Sequence, residues 1–118
     1  MDPVLGRKVL DHVTAHREQF DMKDWGRITP TCGTSACLAG WTLLLHGHTV
    51  DEAGVFRDSA GCRVGVPTTA AELLKLTDEE RWGADPANPG LFSEFDDDVA
   101  IARFRALVEA AERQSSTA

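Results

Sequence analysis

The stretch Cys32-Gly33-Thr34-Ser35-Ala36-Cys37-Leu38-Ala39-Gly40-Trp41-Thr42-Leu43-Leu44-Leu45 constrains the chain most. A Pro- and Gly-bearing turn, Thr29 to Gly33, leads into it, since Pro lacks a donor and Gly permits unusual backbone angles. Thr34 or Ser35 can then cap a helix running to about His46 and ending at Gly47. Small Ala36, Ala39 and Gly40 lie among bulky Leu38, Trp41, Leu44 and Leu45, so the helix is apolar nearly all round. Such a helix belongs in the centre of a core.

The flanking patterns supply what would cover it. Asp2 with Pro3 opens a helix over about 3–19, and Leu5, Val9, His12, Val13, His16 and Phe20 recur at helical spacing. Phe20, Met22 and Trp25 anchor the connector that follows. Val55 to Asp58 and Cys62 to Val66 flank Ser59-Ala60-Gly61, which predicts a β-hairpin with Cys62, Val64 and Val66 on its inner face. Possible capping boxes, Thr69 with Glu72 and Thr77 with Glu80, predict helices of about 69–75 and 78–83. Asp85 to Gly90 breaks structure, and Leu91, Phe92 and Phe95 re-anchor the chain. A last helix opens at Asp96, Asp97 and Asp98, buries Ile101, Phe104, Val108 and Ala111, and frays from Gln114 to Ala118. The expected fold class is mainly α (α+β): about five helices around a central buried helix, with one small β-hairpin. At 118 residues this is one domain, 1–118, without a sequence repeat.

Charge narrows the partners. The net charge is -7, and the segment from Glu72 to Asp98 holds nine acids against Lys75 and Arg81, which accounts for the whole imbalance. Such a surface repels phosphates and suits a basic partner. The hairpin of helices around Leu76 and Thr77 has the cadence of a DNA-reading motif, but its second helix begins Asp78-Glu79-Glu80, so direct nucleic-acid binding is not expected. Without a membrane-length apolar run or a secretory pattern, the expected location is the cytoplasm, and the three cysteines do not read as a disulfide framework.

Four chemistries compete. Cys37, at a helix start that lowers thiol pKa, could serve a hydrolase or transferase with His46 or His12 as base. His12 and His16, four apart on a helix, could join Cys32 and Cys37 around zinc in a metal-stabilised structural domain, although the cysteine spacing is longer than zinc sites favour. The acidic run could mimic DNA. The leading reading needs no cofactor: a protein-binding surface made of Asp78, Glu79, Glu80, Asp96, Asp97 and Asp98, with Leu91 and Phe92 as an apolar tip beside Pro86 and Pro89.

Phe20-Asp21-Met22, Trp25, the pattern Cys-Gly-Thr-x-x-Cys-x-Ala-Gly-Trp over residues 32–41, and Ala71 to Thr77 together resemble small uncharacterised proteins of actinobacteria and, especially, their bacteriophages. The resemblance spans roughly residues 4–82. It implies a small accessory gene product of phage or host that acts on a host or phage protein, and it brings no catalytic residue with it.

Overall fold

The computed structural model describes the chain apart from residues 24–25, 30–32, 86–87, 95 and 117–118; side chains are described outside 27–29, 33, 84–85, 88–89, 93 and 115–116 as well. Five α-helices carry the fold: α1 (Pro3–Ala15), α2 (Leu38–Leu45), α3 (Val66–Leu74), α4 (Asp78–Trp82) and α5 (Asp97–Ser116). Short antiparallel pairs join β1 (Arg27–Thr29) to β2 (Gly33–Ser35), β3 (Thr49–Val50) to β4 (Phe56–Arg57), and β5 (Gly83–Asp85) to β6 (Asn88–Pro89). The expected mainly α class, with a minor β component, is what the chain adopts.

Helix α2 is central, as its composition demands. Leu38, Ala39, Gly40, Trp41, Thr42 and Leu43 are all buried, packed between α1 and α3. Thr42 is tolerated there because its hydroxyl donates to the Leu38 carbonyl at 2.8 Å. Helix α5 lies along α1 and buries Ala100, Ile101, Phe104 and Val108. Gly6 makes that approach possible: a Cβ at this position would stand 2.9 Å from Cγ2 of Val108. The pair is locked at the surface by Arg7, which donates to both carboxylate oxygens of Glu112 at 3.0 and 2.6 Å.

Several boundaries differ from expectation. Thr34 and Ser35 pair with β1 instead of capping α2, and Cys37 becomes the N-cap, its Sγ accepting from the Gly40 amide at 3.5 Å. Helix α1 ends at Ala15 and a 3-10 turn, Arg17–Gln19, follows it. Helix α3 begins at Val66, three residues earlier than Thr69 suggested, because Pro67 suits the first helical turn, where its missing N–H costs nothing. The Thr77 and Glu80 capping box of α4 is present in both directions. At the far end α5 runs on through residues 114–116, where fraying was expected.

The hairpin is shifted. Phe56 pairs with Val50, upstream; the expected downstream arm reduces to a bridge between Arg57 and Arg63. Val66 belongs to α3, and Cys62 is exposed. The inner-face reading fails at Cys62, while Val64 and Val66 do pack against the core, Val66 as the first residue of α3 and not as a strand residue.

A short repeat is present in the turns, where no repeat was expected. Asp51 accepts from the amides of Ala53 and Val55 at 2.9 and 3.0 Å, and Asp58 accepts from those of Ala60 and Cys62, both at 3.0 Å. Gly54 and Gly61 follow three residues after each aspartate, at φ of 80° and 82°, a region glycine enters without steric cost. Asp-x-Ala-Gly thus builds the same turn twice, seven residues apart.

Candidate functional site

An open concavity lies where the start of α5 meets the segment after α1. That segment is held by three bonds. The Ala36 amide donates to the Gln19 carbonyl at 3.0 Å, the Asp21 amide to the Ala36 carbonyl at 3.1 Å, and the Trp41 indole N–H to the Gln19 carbonyl at 2.8 Å. Phe20 is thereby laid beside β2 and buried. Helix α5 docks onto the same segment through Asp97, whose Oδ1 accepts from the Met22 amide at 2.9 Å. Arg17 reaches across to Oδ1 of Asp98 at 2.7 Å.

These contacts leave an open cleft of about 540 Å³. One wall is Arg17, Glu18, Asp21 and Lys23; the other is Asp96, Asp97 and Asp98; buried Phe20 and Ser35 lie between them. Five carboxylates against two cations make it acidic by three charges. Much of that acidity is structural as well. Oδ1 of Asp96 caps α5 by accepting from the Val99 amide at 3.1 Å, and Oδ1 of Asp21 turns the chain by accepting from the Lys23 amide at 2.9 Å.

The sequence-predicted surface is only partly assembled. Asp96, Asp97 and Asp98 line the cleft, whereas Asp78 and Glu79 lie exposed on α4 and Glu80 is committed to its capping box. Leu91 and Phe92 are not an apolar tip. They are buried in a 3-10 turn, Leu91–Ser93, packed on α4 and α5, and Phe92 meets the Trp82 ring edge-on at 6.4 Å. Burying them removes a larger apolar area from water than a loop tip could, which is why they plug the domain. Pro86 lies outside the described residues, and so does the Pro89 side chain.

The thiol chemistry finds little support in the geometry. Cys37 is buried, with its sulfur turned to the helix it caps. His46 stands at the opposite end of α2, nine residues on and therefore roughly 13 Å along the helix axis, which removes it as a base for Cys37. His12 packs its ring on Trp41 at 4.1 Å and on His16 at 4.7 Å, and its Nε2 is buried with no hydrogen-bond partner. Burial and the neighbouring His16 hold its pKa below the usual imidazole value, outweighing Gln19 and Glu18. For zinc, Cys32 lies outside the described residues, and no three His, Cys, Asp or Glu side chains among the described ones group as a metal would need.

No helix among the described residues is long and apolar enough to cross a membrane. Compared with protein-family models, with curated proteins and with solved structures, the chain matches none. Glu18, Asp21 and Ser35 enter the site unforeseen. Only the occurrence of Asp21 within Phe20-Asp21-Met22 hinted that this connector mattered.

Proposed function

We propose that this chain is a non-enzymatic accessory protein, phage-encoded as its motif resemblance implies, that works in the host bacterial cytoplasm by binding a host or phage protein. The contact is the acidic cleft at the start of α5. One observation carries the reading: carboxylates from residues 18–21 and 96–98, distant in sequence, are brought together around one cleft. A basic segment of the partner complements this surface, and steering by the net charge of -7 speeds its approach.

The test is photo-crosslinking from a reactive residue placed at Glu18 in the full chain, in host lysate. A single crosslinked protein, lost when Asp96, Asp97 and Asp98 are changed to asparagine and weakened by added salt, is the expected result. Crosslinking unchanged by those substitutions sinks the cleft as the docking surface. An α4 triple variant at Asp78, Glu79 and Glu80 leaves the product intact if the cleft is the contact.

A further inference from the structure

Two imidazoles are stacked against the central helix where α1 ends. His12 packs its ring on Trp41 at 4.1 Å and on His16, one turn further along, at 4.7 Å. Its Nε2 is buried and meets no hydrogen-bond partner among the described residues. A neutral imidazole tolerates that position at modest cost, whereas an imidazolium there buries a charged N–H without an acceptor. What the stack covers matters as well. Trp41, 7% exposed, donates its indole N–H to the Gln19 carbonyl at 2.8 Å, and the Ala36 amide donates to the same oxygen at 3.0 Å. The 3-10 turn Arg17–Gln19, which supplies Arg17 and Glu18 to the cleft wall, is thus tied to the core through the ring that His12 covers.

We infer that His12, His16 and Trp41 form an acid-released latch: mild acidification charges His12, which leaves Trp41 for water and loosens the turn after α1. The groups facing His12 set the direction. On α1, His16 repels a second positive charge, and Lys8, one turn earlier, is drawn off to the Leu45 carbonyl at 3.2 Å. In the turn, Gln19 and Glu18 favour the charge, although the Glu18 carboxylate is exposed and lies 3.7 Å from Nδ1 of His16. Helix α2 presents the neutral Trp41, whose ring face attracts a cation. Burial first and His16 second outweigh these gains and hold His12 below the ordinary imidazole value of 6.5. A base depressed in the folded chain binds fewer protons there than in the opened one, so the latch is closed above pH 6.5 and opens as the pH falls through the depressed value. This device does not depend on the protein-binding reading.

The test is NMR on the isotopically labelled full chain between about pH 8 and pH 5. It follows the His12 ring protons and the hydrogen exchange of the Trp41 indole, with the intrinsic pH dependence of exchange removed. His12 is expected to titrate below 6.5, and Trp41 protection to fall several-fold along the same curve while helical content holds. His12→Phe keeps a ring on Trp41 without a charge, so it abolishes the response. His16→Gln removes the repelling neighbour at a side chain 48% exposed, and moves the midpoint up without abolishing it. Titration of His12 at or above 6.5, flat Trp41 protection, a response that survives in His12→Phe, or an unmoved midpoint in His16→Gln each overturn the latch. No partner enters the measurement, so its failure is read separately from that of the crosslinking.

Discussion

The Met22 amide donates to Oδ1 of Asp97 at 2.9 Å, across 75 positions of sequence. This bond, together with that of Arg17 to Asp98 at 2.7 Å, fastens the long C-terminal helix to the segment that forms the facing wall of the cleft.

Replacing Asp97 with alanine therefore leaves a part-buried amide unsatisfied and costs about 1 to 2 kcal/mol of stability. Asparagine, which retains the acceptor, costs less. Urea unfolding of the two variants checks the order, and an asparagine variant as unstable as the alanine one would refute it.

Phe56, 1% exposed, sets the tip of its ring against Gly26, where a Cβ would run into it. Gly26→Ala is expected to destabilise by about 1 to 3 kcal/mol through overpacking, and Phe56→Ala by about 3 to 5 kcal/mol through the cavity it opens. Combined, the two changes cost less than their sum, because the added methyl then meets vacated space. Strict additivity in thermal unfolding would argue against the contact.

Arg7 holds Glu112 below its ordinary carboxyl value of 4.5, by hydrogen bonding and by charge, with burial opposing. A carboxyl depressed in the folded state binds fewer protons than in the unfolded chain. Its contribution is therefore complete above pH 4.5 and is lost as the pH falls through the depressed value. Glu112→Gln should flatten the acid side of the stability profile without altering its slope near neutrality. Salt should shrink the difference, since both side chains are more than a third exposed.

Cys37 should resist alkylation in the folded protein, while Cys62, exposed in its turn, reacts at once. Mass spectrometry after iodoacetamide treatment at neutral pH distinguishes them, with labelling of Cys37 following the fraction unfolded in rising urea. Rapid labelling of Cys37 under native conditions would restore its claim to chemistry.

What could be read from sequence was what neighbouring residues decide. The all-round apolarity of Leu38 to Leu45 declared a central helix, and Thr77 with Glu80 announced the start of α4; each signal lies within one element. The cap of α2 was misassigned because pairing of Thr34 with Ile28 pulls the nominal cap residues into a strand, a competition that local preference does not register. Leu91 and Phe92 read as exposed because a Pro- and Gly-rich approach looks like a loop tip, and only packing on α4 and α5 turns these two side chains inward. The cleft was least legible. Its walls meet through the Met22 amide and the exposed Arg17, and nothing in the side-chain pattern of residues 18–23 advertises a partner at residue 97.

The doubled Asp-x-Ala-Gly turn has a practical consequence. Gly54 sits close to the main chain, where a Cβ would come within 3.3 Å of the Gly26 carbonyl oxygen, whereas a Cβ at Gly61 would meet no atom within 4 Å. The second copy is thus a spare handle. A tag, fluorophore or epitope grafted between Ser59 and Ala60 would project into solvent while its twin goes on holding the fold, so the chain can be labelled without touching the acidic cleft.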